Sequence, residues 1–349
     1  MSYLLQFRRY ALPFRAPVRT AHGHWTVREG LAIRLEDEAG VAGYGEAAPV
    51  PDFGAETVED IAAACRELGG RVDDTRIDAV PARLGSLRQA LTAARRRDQV
   101  EPRHKHLGMA ALLPAGRTAL DAVAARAEAG FRVFKWKVGV GDIGDELALL
   151  DDLCARLPNG AQLRLDANGA WDRRRAERWL ERCAERPVEF VEQPCFAGAS
   201  QDLAGRDRAE DTLIGLAGDY PTPVALDESL VNTGDIARWL DLGWPGVFVL
   251  KPLLIDGLDG ILARLERAKA KVVFSSALET GIGAKAALQA AFSWPGETDA
   301  TGLSKARALG FGVWPLFSDA RCDGPAVAPF LFWEDVQRIN PEAVWTALS

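Results

Sequence analysis

The chain has 349 residues, a formal net charge of −7 and a pI near 5.3. This acidic balance argues against nucleic acid or an anionic membrane as the main partner, and the sequence has no apolar run of about 18 residues that would predict a membrane span. Five cysteines are scattered without a C-x-x-C spacing, which is typical of free thiols in a reducing compartment. We therefore expect a cytoplasmic globular protein that acts on a small molecule, as either a monomer or a homo-oligomer.

The first third of the chain predicts a small α+β domain. Leu31, Ile33 and Leu35 alternate with Ala32, Arg34 and Glu36, a pattern that predicts a strand with one buried and one solvated face. Residues 1–50 as a whole read as a β-meander, with a turn at 37–40. Residues 56–69 and 77–98 have helical composition. Strands followed by helices favour an α+β domain, which we assign to residues 1–105.

From about residue 107, short apolar runs alternate with helix-length segments. Seven such strands can be counted, and a weaker eighth lies near residues 299–303. Repeated βα units of this number predict a (β/α)₈ barrel over residues 106–304, with a doubly wound sheet as the competing architecture. Residues 305–349 lack a clear βα unit, and we expect them to pack back on the first domain as part of a cap.

Ionisable residues close five consecutive predicted strands of the barrel. They are Lys137, Asp166, Glu192, Asp227 and Lys251. Their separations are each about one βα unit, which places every one of them at the carboxyl end of its strand. In a barrel that end carries the chemistry.

The second predicted barrel strand and the turn after it allow a different interpretation. Residues 139–144 spell G-x-G-x-x-G between a strand and a helix, the placement of a dinucleotide-binding turn in an NAD-dependent dehydrogenase. Side chains alternate along a strand, so Lys135 and Lys137 share one face while Phe134, Trp136 and Val138 share the other. In a doubly wound sheet helices cover both faces, and two buried lysines would be strongly destabilising. The lysines therefore favour a barrel strand that lines a polar mouth.

The three acids and two lysines together predict a chemistry. Carboxylates that converge without cations repel one another, and oxygen ligands suit Mg²⁺, so we expect Asp166, Glu192 and Asp227 to bind one divalent ion. A lysine beside another cation is favoured as the neutral amine and can act as a general base. Lys137 is the candidate, with Lys251 on the opposite side of the ring. Mg²⁺ with a lysine base fits proton abstraction α to a carboxylate, through an enediolate.

Three further polar residues lie beside these groups. Arg164 and Asn168 flank Asp166 at two-residue spacing, which places them on the same face of the strand. Arg164 is expected either to pair with an acid or to orient substrate. Glu228 follows Asp227 directly, and we expect it to point the other way or along the loop.

The series K-x-K, D-x-N, E-Q-P, D-E-S and K-P on consecutive strands resembles the muconate-lactonizing subgroup of the enolase superfamily. The N-terminal stretch R-E-G…G-Y-G-E-A-A-P (28–49) is similar to the capping domain of that superfamily. The stretch F-S-S-A-L-E-T-G-I-G (274–283), the short overall length and the L-L-P at 112–114 are similar to o-succinylbenzoate synthases.

This resemblance implies that Asp166, Glu192 and Asp227 hold Mg²⁺. It implies that Lys137 removes the α-proton and then helps to expel hydroxide from the same face, while Lys251 stabilises the enediolate. The reaction would be the syn dehydration of 2-succinyl-6-hydroxy-2,4-cyclohexadiene-1-carboxylate in menaquinone or phylloquinone biosynthesis. The candidate substrate contacts are Thr20, Lys135, Arg164, Asn168, Ser275, Ser276 and Gly281.

Other members of the subgroup would use the same lysines and metal. An N-acylamino acid racemase, a dipeptide epimerase and a cycloisomerase therefore stay as alternatives. The predicted eighth strand has one acid, Asp299, where epimerases use an aspartate pair for the substrate ammonium, which argues against the epimerase.

Overall fold

The computed structural model describes residues 1–20, 23–51, 53–96, 100–196, 203–298 and 304–348. Within these residues the N-terminal region forms an antiparallel four-stranded sheet in the order β3-β2-β1-β4. Its strands are β1 (Ser2–Thr20), β2 (Gly23–Asp37), β3 (Ala42–Ala47) and β4 (Arg71–Asp73). The predicted β-meander is confirmed.

Three helices cover one face of this sheet: α1 (Val58–Leu68), α2 (Asp74–Asp78) and α3 (Gly85–Arg96). The prediction of one helix over 77–98 was wrong, because Pro81 lies between α2 and α3 and its ring and missing N–H stop a helix. Leu31, Ile33 and Leu35 pack into the core beneath these helices. The expected solvated face of β2 is also partly wrong, since Ala32 is fully buried against Ile282 and the C-terminal tail.

A parallel sheet of seven strands follows within the described residues, in the order β12-β11-β10-β9-β8-β7-β6. The short strand β5 (His106–Gly108) leads into it. The seven strands are β6 (Ala111–Leu113), β7 (Val133–Lys137), β8 (Gln162–Asp166), β9 (Val188–Glu192), β10 (Val224–Leu226), β11 (Val247–Leu250) and β12 (Lys271–Phe274). The helices that alternate with them are α4 (Ala119–Glu128), α5 (Ile143–Arg156), α6 (Arg173–Cys183), α7 (Leu203–Asp219), α8 (Thr233–Asp241), α9 (Leu258–Arg267) and α10 (Gly281–Ser293), with a 3₁₀ turn at Pro252–Leu254.

The two edges of this sheet meet through residues 309 and 310. Leu309 forms a parallel bridge with Met109 on one side, and Gly310 forms one with Ser275 on the other. Strand order that follows chain order, with the edges joined, is a barrel rather than a doubly wound sheet. The eighth strand expected at 299–303 lies outside the described residues, and the bridging segment comes a few residues later in the chain.

The C-terminal tail packs on the cap, as expected. The pair β13 (Glu297–Thr298) and β14 (Ser304–Lys305) precedes a 3₁₀ turn at Ala320–Cys322, and β15 (Phe330–Phe332) pairs antiparallel with β5. The last helices are α11 (Trp333–Arg338) and α12 (Pro341–Ala347). Trp345 of α12 contacts Tyr44 of β3, with ring centroids 6.2 Å apart, and Arg8 of β1 lies over its ring.

Two further features of the described residues are the character of their helices and the state of their cysteines. In the part of the chain that the structure describes, none of the helices combines the length and apolar character needed to cross a membrane. The five cysteines carry free thiols, and burial raises their pKa values to about 11 or 12.

Candidate active site

The strand register brings the predicted acids and lysines to one end of the barrel. Lys137 of β7 lies opposite Asp166 of β8, and Asp166 lies opposite Glu192 of β9. Asp227 and Lys251 each follow directly on the last residue of their strands, β10 and β11. The one-unit spacing in sequence therefore corresponds to adjacent positions around the carboxyl mouth.

A cavity of about 320 Å³ opens at this mouth and is lined by both domains. The capping domain contributes Val18, His24, Trp25, Val50, Pro51 and Phe53. The barrel contributes the ionisable and amide groups Lys135, Lys137, Asp166, Asn168, Asp227, Glu228 and Lys251, and then Ser275, Ser276, Ala277 and Leu278 after β12. A mostly apolar cavity with a few convergent polar groups is the usual form of a small-molecule site.

The alternation along β7 is as predicted. Phe134 and Trp136 are fully buried on the helix side. On the other face, Lys135 Nζ lies 2.7 Å from Oε1 of Glu192 and 3.0 Å from Oδ2 of Asp166. Burial disfavours its charge, but the carboxylates of Asp166, Glu192 and Asp227 outweigh burial and raise the pKa of Lys135 above its ordinary value. Lys135 is therefore a fixed cation between two carboxylates.

Lys137 is held by an amide rather than by a close carboxylate. Its Nζ donates to Oδ1 of Asn168 at 2.8 Å and lies 3.9 Å from Oδ2 of Asp166. The Nδ2 of Asn168 donates to Oε1 of Glu228 at 3.0 Å. Glu228 lines the cavity, so the expectation that it points away was wrong. The loop after β10 turns both consecutive acids toward the mouth, and strand alternation does not apply beyond the end of the strand.

Lys251 lies on the other side of the mouth. Its Nζ is bonded to Oδ1 of Asp227 and lies 4.4 Å from the ring centroid of Phe53, a residue of the cap. An ammonium group over an aromatic face is attracted to it. Phe53 was not singled out from the sequence, because it lies in an irregular segment with no periodic pattern.

The E-Q-P and D-E-S motifs are joined through Gln193. Its Oε1 accepts from the backbone N–H groups of Asp227 and Ser229 at 2.9 and 3.1 Å, and its Nε2 donates to Oγ of Ser229 at 2.8 Å. Gln193 is fully buried and adopts a positive φ of 37°. The glutamine after one acid therefore fixes the loop that carries the next.

The site brings together four buried carboxyl groups, those of Asp166, Glu192, Asp227 and Glu228. Burial, and then repulsion from Asp166, raises the pKa of Glu192 to about 8; burial and the charge of Asp227 raise the pKa of Glu228 to about 7. Asp166 differs, because Lys135 and Lys137 outweigh its burial and hold its pKa below the ordinary value. Acids that resist ionisation in this way are stabilised as carboxylates by an added cation.

The donor set fits a hard divalent cation. All its atoms are oxygens, and Oε2 of Glu228 is buried without a hydrogen-bond partner among the described residues. As they stand, no three acidic, histidine or cysteine side chains in those residues are gathered closely enough to hold a metal. In the described residues the ammonium of Lys135 lies between two of the carboxylates, and that of Lys251 pairs with the third.

Arg164 does not reach the cavity. Its Nε donates to Oε2 of Glu189 at 2.7 Å and its Nη1 to the carbonyl of Ala308 at 2.8 Å, and its side chain is 1% exposed. Of the two roles expected for Arg164, pairing with an acid is the one that the structure shows. The proposed substrate contact is corrected, because this arginine lies two residues deeper in the barrel than the mouth.

The two serines after β12 line the cavity, but Gly281 does not. Ser275 donates to the carbonyl of Gly310 at 3.3 Å, and Ser276 donates to Oε2 of Glu279 at 3.0 Å. A Cβ on Gly281 would lie 2.9 Å from the carbonyl of Asp323. This glycine allows the C-terminal tail to approach, and its predicted contact with substrate is corrected. The side chain of Thr20 lies outside the described residues.

The backbone N–H groups of the G-x-G-x-x-G turn are bonded by a side chain of the helix that follows the turn. The backbone N–H groups of Gly139, Val140 and Gly141 donate to the carboxylate of Glu146 at 2.9, 3.1 and 3.1 Å. These are the donors that a phosphate would need. Glu146 satisfies them from the first turn of α5, so the geometry favours a structural βα turn over a dinucleotide site.

Comparison with known families agrees with this fold and site. A family described as enolase C-terminal domain-like matches residues 118–315, more than half of the chain, and the MenC N-terminal domain matches residues 4–94. The fold and the ring of strand-end acids and lysines define an enzyme of the enolase superfamily.

Within that superfamily the chain belongs to the o-succinylbenzoate synthase family. It is 38% identical to the o-succinylbenzoate synthase of Thermosynechococcus vestitus, over 88% of this chain and 92% of the relative. It is 30% identical to that of Yersinia enterocolitica, over 79% and 82%. These relatives are hydro-lyases.

Solved structures show the same relationship. The o-succinylbenzoate synthase from Thermosynechococcus elongatus, solved with Mg in its active site, has a TM-score of 0.78 at 35% identity, covering 96% of this chain and 98% of that one. The L-Ala-D/L-Glu epimerase from Bacillus subtilis has a TM-score of 0.77 at 20% identity, covering 95% and 96%. The second likeness concerns the fold alone.

Proposed function

We propose that the protein dehydrates 2-succinyl-6-hydroxy-2,4-cyclohexadiene-1-carboxylate to o-succinylbenzoate, the reaction of its family, in menaquinone or phylloquinone biosynthesis. The observation that carries the proposal is the pair Lys137 and Lys251, which line one cavity together with buried carboxylates at the mouth of the barrel. The five free thiols support a cytoplasmic location.

Lys137 is the general base of this proposal. Its side chain is 25% exposed at the cavity wall, and the amide of Asn168 orients its Nζ. The neutral amine takes the proton from the carbon next to the substrate carboxylate, and the electron pair of that C–H bond passes into an enediolate. The resulting ammonium then gives a proton to the departing hydroxyl group. The C–O bond breaks, the ring becomes aromatic, and water leaves from the same face.

Lys251 is the electrostatic partner. It is paired with Asp227 and stacked on Phe53, and these contacts place its amino group across the mouth from β7. A fixed positive charge where negative charge develops stabilises the transition state without reorganisation. Lys135 has a supporting role. Its ammonium group lies between Asp166 and Glu192, the neighbouring carboxylates keep it protonated, and a protonated amine has no lone pair to accept a further proton.

Asp166, Glu192 and Asp227 are the residues that would hold a magnesium ion. When bound, such an ion acts as a Lewis acid toward the substrate carboxylate and neutralises the charge that develops there. The raised pKa values of Glu192 and Glu228 support this assignment, because an added cation would favour their ionised forms.

The cavity beyond the lysines suits the succinyl arm of the substrate. Ser275, Ser276, Ala277 and Leu278 lie on the barrel side, and Trp25, Val50 and Phe53 lie on the cap side. This apolar wall with two hydroxyl groups fits a short acyl chain that ends in a carboxylate.

An assay on a panel of substrates tests the proposal. Purified protein with Mg²⁺ is given the cyclohexadiene carboxylate, a set of N-acylamino acids and a set of dipeptides, and formation of the aromatic product is followed beside racemisation. We expect dehydration with a kcat/KM of at least about 10⁴ M⁻¹s⁻¹ that exceeds turnover of every other compound. Faster racemisation of an N-acylamino acid or a dipeptide would assign the chain another activity of its superfamily.

A further inference from the structure

Two fully buried charged residues of the capping domain reach into the barrel. Arg28 of β2 is 0% exposed and Glu46 of β3 is 1% exposed. Burying a charged group is costly unless its hydrogen-bonding atoms are satisfied. The partners of these two residues therefore indicate what their burial stabilises.

Arg28 joins two cavity-lining segments, one from each domain. Its guanidinium donates to the carbonyls of Ala277 and Leu278 in the barrel, both at 3.1 Å. It also donates to the carbonyls of Ala48 and Pro49 in the cap, at 2.5 and 2.6 Å. The segment after Pro49 and the segment 275–278 both line the cavity. One planar side chain thus sets the separation of two opposing walls.

Glu46 holds the next part of the same barrel segment. Its carboxylate accepts from the backbone N–H of Thr280 at 3.0 Å and from that of Gly283 at 2.9 Å, and it is bonded to the hydroxyl of Thr280. These groups belong to the N-terminus of α10, where a negative charge is favoured. Tyr10 of the cap donates to the same carboxylate at 2.5 Å. The barrel helix is therefore capped by a side chain from the other domain.

The barrel segment that Arg28 and Glu46 hold is strained and closely packed at the points of attachment. Leu278 adopts a φ of 62°, in the left-handed region that residues other than glycine seldom occupy. Such a conformation persists only where the surroundings enforce it, and Arg28 bonds the carbonyl of this residue. A Cβ on Gly283 would lie 3.0 Å from Oε2 of Glu46, so the glycine permits the close approach.

We propose that Arg28 and Glu46 are positioning residues through which the capping domain holds the 275–278 segment in its substrate-binding shape. The inference rests on the proposed function, because it assigns this segment to the distal arm of the substrate. The two residues act through the backbone that they hold, and they do not line the cavity that contains Lys137 and Lys251. Their loss would weaken binding of the arm in ground state and transition state alike, which raises KM and leaves kcat largely unchanged.

The test compares Arg28→Lys with Arg34→Lys. A lysine at 28 keeps the charge but cannot span four carbonyls in one plane. Arg34 is the matched control, since it lies on the same strand but bonds Gln6 and Tyr44, away from the cavity. We expect Arg28→Lys to raise KM about tenfold with kcat within about threefold of wild type, and Arg34→Lys to stay within about twofold in both. Glu46→Gln, which keeps the size but loses the charge, should follow Arg28→Lys and serves in its place if that variant does not fold.

Hydrogen–deuterium exchange gives a readout that does not depend on turnover. The amides of residues 275–283 should exchange about tenfold faster in Arg28→Lys than in wild type or in Arg34→Lys. An unchanged KM in folded Arg28→Lys and Glu46→Gln, or equal losses in Arg28→Lys and Arg34→Lys, would overturn the inference. If wild type itself does not dehydrate the substrate, the proposed function fails, and unchanged exchange at 275–283 would then separately refute the positioning role.

Discussion

Lys137 donates a hydrogen bond to Asn168 across neighbouring barrel segments, with 2.8 Å between Nζ and Oδ1. The amide of Asn168 cannot turn over freely, because its Nδ2 donates to Glu228. Glu228 thereby selects the orientation in which the acceptor oxygen faces the lysine. The general base of the proposed reaction is thus aimed by a chain of two residues.

Asn168→Gly tests this aiming. Asn168 has a φ of 45°, which glycine adopts without strain, so the backbone is expected to keep its shape. Loss of the acceptor should lower kcat about tenfold or more with a smaller change in KM, because Lys137 remains but loses its orientation. Steady-state kinetics and a thermal melt check the outcome. A kcat equal to that of wild type would contradict the role of Asn168.

Removal of divalent metal should abolish turnover. Burial and the charge of Asp166 raise the pKa of Glu192, and a bound divalent cation would favour its carboxylate form. Exhaustive chelation should therefore stop the reaction, and added Mg²⁺ should restore it. Mg²⁺ should also raise the melting temperature of wild type but not of Asp166→Asn. Full turnover after chelation would refute the metal assignment, and equal melting shifts in both proteins would place the ion elsewhere.

Glu279 predicts a pH dependence of stability. Burial raises its pKa from the ordinary 4.5 to about 7, against the hydrogen bonds that favour its carboxylate, and the nearby charge of Glu46 adds to the rise. A carboxyl group whose pKa is raised on folding stabilises the folded state. This stabilisation is fully present below about pH 4.5 and is lost as the pH rises through about 7. Arg28, whose guanidinium holds the same segment, and Tyr10 beside Glu46 are further ionisable groups in this region.

Glu279→Gln should remove this dependence. Between about pH 5 and about pH 8, the free energy of unfolding of wild type should fall relative to that of Glu279→Gln by on the order of 3 kcal/mol. Urea unfolding of both proteins at each pH measures the difference. Parallel pH profiles for the two proteins would show that Glu279 does not titrate in this range.

The structural role of Arg164 can be tested by substituting its ion-pair partner, Glu189. Its carboxylate pairs with Arg164 at 2.7 Å and with Arg307 at 2.6 Å, and Arg164 is buried. Removing one member of a buried ionic cluster leaves an uncompensated charge, so Glu189→Gln should lower the free energy of unfolding by about 3 kcal/mol. Because none of the three lines the cavity, KM should stay within about twofold of wild type. A large rise in KM at unchanged stability would return Arg164 to the substrate site.

The residues of the barrel mouth could be predicted because the sequence patterns that indicate them lie within single strands and βα units. The alternation along Phe134–Val138 and the one-unit spacing from Lys137 to Lys251 follow from strand geometry alone, and the structure brings all five strand-end residues to one mouth. Arg164 was misjudged because alternation gives the face of a strand but not the depth in the barrel. Glu228 was misjudged because it lies past the end of its strand.

The contacts between domains could not be predicted in the same way. Phe53 contacts Lys251, and Arg28 contacts Leu278, although the members of each pair are about 200 or more residues apart in the sequence. No periodicity links such pairs, although the stretches that contain Arg28, Glu46 and Glu279 are similar in sequence to those of a known family. Gly281 was misassigned for the same reason, since only the folded tail shows what its missing Cβ accommodates.

The most direct test of the account is turnover of the cyclohexadiene carboxylate by Lys137→Ala beside Lys271→Ala. Lys271 is the first residue of β12 and bonds the carbonyl of Pro245, so it controls for loss of a barrel lysine away from the mouth. We expect Lys137→Ala to lose at least about 10³-fold in kcat at an unchanged melting temperature, and Lys271→Ala to keep wild-type kcat. A folded Lys137→Ala protein with kcat within about tenfold of wild type would contradict its assignment as the general base.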